Sequence, residues 1–152
     1  MQSHLAGRRR PLATAIAVGL AAVLAAVLVG NALAATRKHV VSTAQNATLH
    51  KKVLVTTSGL TLYSLSVERK GRFICTTSAC LSFWHPLLVK KGTIPTGASH
   101  LGTVARPGAR GRVQVTFRGG PLYTFYLDRK RGDAGGEGFK DVGTWHAASL
   151  SR

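Results

Sequence analysis

The sequence predicts an all-β domain built from two tandem β-hairpin-based repeats packed as one small domain, behind an N-terminal export or anchor helix. Three observations carry this. VLVTTSGLTLYSLSVERK (53–70) aligns without gaps on VQVTFRGGPLYTFYLDRK (113–130). Eight of those 18 positions are identical, among them Val53/Val113, Gly59/Gly119, Leu62/Leu122 and Tyr63/Tyr123, where chance would give about one. Each copy alternates β-branched runs with Gly- and Pro-bearing turns, the pattern of a hairpin. Third, the one long helical stretch expected is the apolar N-terminal segment.

That segment comes first in the chain. Arg8, Arg9 and Arg10 precede an apolar run from Leu12 to Gly30, followed by NALAA. A basic start, an apolar middle and small residues spaced A-x-A mark an export signal, cut after Ala34. The run is about 19 residues, close to the roughly 20 that span a bilayer, so a retained signal anchor is the alternative. Either way the basic residues stay inside and the remainder lies outside the cytoplasm, secreted or membrane-anchored at the envelope. Residues 1–35 are therefore the signal peptide or anchor, and TRKHVVSTAQNATLHKK makes 36–50 a polar tether.

The two-repeat β domain spans 51–149, with copy one over 53–85 and copy two over 113–146. In each, a β-branched run (VLVTT, VQVTF) turns through SGLT or RGGP into a second strand (TLYSLSV, PLYTFYL). A charged turn follows (ERKGR, DRKRGD), then a loop that returns to Trp84 or Trp145. A short helical turn suits TSACLSFW, and a short strand suits LGTVAR in the linker between copies.

Charge bounds the partners. The chain carries 21 Lys and Arg against 5 Asp and Glu, a formal charge of +16. Without Arg8–Arg10, 18 basic residues and all 5 acids remain, about +13. Such a field favours anionic wall polymer or lipid headgroups. Nucleic acid is not expected for an exported chain, and plain solvation of scattered KK and RK pairs is the bland alternative. The two cysteines, Cys75 and Cys80 in CTTSAC, predict a disulfide in an oxidising compartment, worth about 2 kcal/mol for so short a loop. Redox exchange prefers C-x-x-C, and a metal at these thiols would need His85 and further ligands.

These motifs, in order, are GLTLYSLSVE, CTTSAC, FWHPLL, RVQVTFRGGPLYTFYLD, GDAGGEGF and TW. The chain thereby resembles the bacterial secreted-repeat lipoproteins, described by a repeated Y-x-[FWY]-x-x-D motif, over about residues 50–148. The resemblance implies an exported β protein and assigns no activity. Three positions depart from it: Leu65 replaces an aromatic, Glu68 replaces Asp, and His85 stands where a second proline is common. The lipid-bearing cysteine is also missing.

The candidate site residues are the motif positions Tyr63, Glu68, Tyr123, Phe125 and Asp128, as structural or ligand-contacting groups. Five residues separate tyrosine from acid, which puts them on opposite faces of a regular strand. The acid reads as a turn cap and the tyrosine as core with its hydroxyl tied off. Trp84 and Trp145 are core aromatics, and His85 and His146 beside them are weak candidates for a metal or haem. Asp128, Asp133, Glu137 and Asp141 form a looser acidic group whose spacing is not that of a calcium loop. No cofactor is implied, and no Ser-His-Asp set or metalloprotease motif occurs. The sequence thus points to a non-catalytic envelope or secreted binding module, with a metal- or haem-associated redox accessory as the alternative.

Overall fold

The computed structural model describes residues 35–151; the expected export helix lies outside the described residues. Within them the regular structure is strand apart from one short helix, α1 (Ser78–Phe83). Thr77 caps that helix, its hydroxyl accepting from Cys80 N, and the predicted disulfide joins Cys75 to Cys80. The predicted linker strand is also present, as Leu101–Ala105.

The stretch 36–50 is not a tether. It forms β1 (Thr36–His39) and β2 (Val41–Asn46). β2 pairs along its whole length with β3 (Lys51–Thr56), and β1 runs parallel to β7 (Thr93–Thr96). The polar side chains there mislead because backbone bonding carries these strands, while Val40, Val41 and the partly buried Ala44 supply their apolar contacts with the core. Gly97, just after β7 with φ of 120°, permits this approach: a Cβ would lie 1.5 Å from the carbonyl oxygen of Val41.

The predicted hairpins form. Val55 bridges Thr61 and Leu62 N bonds to Leu54 O in copy one. In copy two, β9 (Arg112–Phe117) turns through Arg118 and Gly119 into β10 (Gly120–Pro121). β9 also pairs with β6 (Leu88–Lys90) and with β8 (Leu101–Ala105). β3 reads as a continuous apolar VLV because both its faces are buried. Val53 and Val55 enter an aromatic core with the tryptophans, while Leu54 enters an aliphatic core with Leu62, Val115 and Leu122.

The two copies then exchange partners. β4 (Tyr63–Leu65), β5 (Trp84–Pro86), β11 (Tyr123–Phe125) and β12 (Trp145–Ala147) form one sheet in the order β12-β4-β11-β5. The tyrosine strands meet at Tyr63 opposite Tyr123. Each is flanked by the other copy's tryptophan strand: Trp145 faces Leu65, and Trp84 faces Phe125. Offsets of 60 and 61 residues relate these pairings, so the sheet has an approximate two-fold axis through the tyrosine pair. The tryptophans from the two copies stack with centroids 3.8 Å apart and planes 8° from parallel.

Candidate functional site

Tyr63, Glu68, Tyr123, Phe125 and Asp128 come together in the centre of the domain, all buried. The tyrosine strand of each copy stops after three residues, at Leu65 or Phe125, and a tight turn follows. That turn swings the acid back beneath the sheet, so the opposite-face rule for a regular strand does not apply. The partner of each tyrosine is the acid of the other copy. Tyr63 Oη donates to Asp128 Oδ2 at 2.6 Å, and Tyr123 Oη donates to Glu68 Oε2 at 2.8 Å.

The remaining acid oxygens cap turns as the sequence suggests. Glu68 Oε1 accepts from Ile74 N and Cys75 N, and Asp128 Oδ1 accepts from Gly135 N. Burial, with the partner acid adding to it, pushes both tyrosine hydroxyls well above their ordinary value of 10. Burial likewise raises the Asp128 carboxyl, against the opposing pull of the Tyr63 hydrogen bond.

One member of this network was not singled out in the sequence. Arg106 is 9% exposed, and its Nη1 donates to Gln114 Oε1 at 2.7 Å and to Tyr123 Oη at 2.9 Å. Its Nη2 donates to Cys75 O, and its guanidinium lies over the Phe73 ring. In ARPGARGR it reads as one more turn arginine; only its place after β8, against the copy-two strand, draws it inward. Among the described residues no buried side-chain polar atom lacks a partner. The centre is therefore a closed network of mutually hydrogen-bonded groups.

The other candidates separate. His85 and His146 lie on β5 and β12, opposite edges of the four-stranded sheet, three strand spacings or roughly 14 Å apart. His146 Nδ1 instead contacts Glu137 Oε1 at 3.0 Å. The loop acids also disperse. Asp133 accepts from Arg129 N and Lys130 N, which holds its carboxyl below the ordinary value. Glu137 accepts from Ala147 N, and Asp141 from the Trp145 indole. Among the described residues no three His, Cys, Asp or Glu group as metal ligands would.

All five acids are thus committed to turns and internal bonds. Among the described residues the one pairing of a Lys or Arg with a carboxylate is Lys51 with Glu137, at 3.9 Å. Most of the positive charge is left facing outward, and part of it lines a cleft of about 680 Å³ between β1, the β6–β7 turn and the start of β9. Lys38, Lys90, Lys91 and Arg112 line it with His39 and four threonines, and no acid does. Lys90 and Arg112 stand directly opposite each other across β6 and β9. Like charges so placed lower sheet stability. Nothing in the sequence brings Lys38 to Lys90; the parallel pairing of β1 with β7 does so.

Residues 103–149 match the model of a family described as a secreted repeat of unknown function. The match falls on the second copy and its preceding strand, in agreement with the resemblance carried by the motifs, and its description agrees with an extracytoplasmic location. No curated protein and no solved structure matches the chain.

Proposed function

We propose that this protein is a non-catalytic, extracytoplasmic binding module whose basic cleft takes a polyanion of the cell envelope. The observation that supports it is the unneutralised cleft itself, above all the Lys90–Arg112 opposition. A cross-strand pair of cations costs stability in the free protein, and a bound anion converts that cost into attraction. The hydroxyls of Thr57 and Thr93 add neutral donors suited to phosphate or carboxylate oxygens. The central Tyr–acid network then serves as the scaffold that holds β9 and β6 in register.

The test is titration of the full chain, held in non-ionic detergent, with inorganic polyphosphate. Binding should weaken steeply with salt, because exposed charges are screened within a few Å at high ionic strength. Lys90→Gln together with Arg112→Gln should weaken it about tenfold or more, while raising folding stability by about 0.2–1 kcal/mol as the repulsion is relieved. Affinity untouched by the double substitution would overturn the assignment of the cleft.

A further inference from the structure

Five non-glycine residues among those described have positive φ: His50 (51°), Lys70 (51°), His100 (57°), Arg110 (33°) and Arg118 (49°). Every one is basic. The left-handed region costs backbone energy for a residue with a Cβ, and glycine, asparagine and aspartate are the usual occupants. At Arg118 the contrast is direct, since Arg118–Gly119 forms a two-residue hairpin turn with both φ positive, where Asn-Gly is preferred. Lys70 and Arg118 therefore occupy positions where an uncharged asparagine would suit the backbone better.

Three of the five are neighbours in space although 18 to 48 residues apart in sequence. Lys70 N donates to Gly119 O at 3.1 Å, and Arg118 N donates to His100 O at 3.0 Å. Turns from copy one, the linker and copy two thus converge at the Phe117 end of β9. Arg69 joins them, its Nη1 lying 2.8 Å from where a Cβ on Gly120 would stand. Among the described residues none of these four is ion-paired with a carboxylate. Arg118 stacks on the Phe117 ring and donates one bond, from Nη2 to Leu150 O, leaving further N–H groups for a ligand.

The basic cleft lies at the opposite end of the same strand, at Arg112. Five residue steps along β9 separate the two ends, roughly 17 Å. Arg110, a fourth of the left-handed residues, stands at the cleft end, where Lys91 N bonds to Gly111 O. We infer that the turn cluster of Lys70, His100 and Arg118 is a second anion contact, and that together with the cleft it selects an extended anionic polymer over a single phosphate or headgroup. A small anion reaches one end of β9 only; a chain of phosphates reaches both, and linking the two contacts raises affinity without new chemistry.

This inference rests on the reading of the cleft as an anion site, and the test separates the two. The full chain in non-ionic detergent is titrated with long-chain polyphosphate and with tripolyphosphate. It is compared with the combined variant Lys70→Asn, His100→Asn, Arg118→Asn, in which asparagine keeps the left-handed turns and removes the two charges of Lys70 and Arg118 and the imidazole of His100. The variant should melt no lower than the parent. Its affinity for long-chain polyphosphate should fall about tenfold or more, with a salt dependence shallower by roughly two ions. Its affinity for tripolyphosphate should not change. Long-chain affinity equal in parent and variant overturns the second contact, as does equal affinity of the parent for long and short polyphosphate. Loss of binding in the turn variant without loss in Lys90→Gln, Arg112→Gln overturns the cleft instead. Binding to anionic phospholipid vesicles with none to polyphosphate overturns the polymer as the partner.

Discussion

The hydroxyl of Tyr123 donates to Glu68 and accepts from Arg106, so it joins a buried acid to a buried base. Tyr63 has the simpler role of donating to Asp128, with a long contact from Gly136 N. Removing a hydroxyl that satisfies a buried carboxylate costs about 1–3 kcal/mol. Tyr123→Phe should stand at the upper end and Tyr63→Phe at the lower, as urea denaturation of the two variants would show; equal losses would mean that Arg106 does not use the hydroxyl. Asp128 and Asp133 of copy two act in opposite senses with pH. The Asp128 carboxyl is raised in the folded protein, so stability falls as pH rises from 3.8 through its raised value, and Asp128→Asn should remove that fall. The Asp133 carboxyl is lowered by its two backbone donors, so its stabilisation is present above 3.8 and lost as pH falls below it. Asp133→Asn should flatten that acid-side loss, and denaturation midpoints across the acid range check both. At this scale the sequence showed that the motif acids cap turns. It did not show Arg106, because the burial of one turn arginine among many depends on which strand it meets.

Elements show where close packing sets the limit. Gly136 passes over the stacked tryptophans, and a Cβ there would lie 2.7 Å from Cη2 of Trp84 and 3.0 Å from Cε1 of Tyr63. Gly136→Ala must push the ring stack, which costs about 1–3 kcal/mol for overpacking. The melting temperature should drop and the tryptophan fluorescence shift together; an unchanged spectrum would mean that the loop, not the rings, gives way. Hairpins, the linker strand and the short helix were all legible, since β-branched runs and turn glycines are local signals. β1 and β2 were not, because TRKH and STAQN have few apolar side chains and become strands through backbone bonds to distant partners. The strand break after Tyr-x-Leu or Tyr-x-Phe was equally hidden. It converts an opposite-face spacing into a buried contact.

For the whole molecule, the exchange between copies makes the pair of repeats the folding unit. Tyr63 lacks its acid, and Trp84 its stacking partner, unless copy two is present. A double-mutant cycle on Tyr63→Phe and Asp128→Asn should therefore give a coupling of about 0.5–3 kcal/mol despite 65 residues of separation. Additive losses would mean that the cross-copy bond contributes nothing. By itself the sequence determined the duplication, the all-β class, the disulfide and the excess of positive charge, because composition, spacing and local turn chemistry encode each of these. Only the tertiary structure decided that Glu68 and Asp128 are buried while Lys38, Lys90, Lys91 and Arg112 line one cleft. It also decided that each repeat is completed by the other. Strand pairing brings together residues far apart in the chain, and no local pattern records which strand will lie beside which.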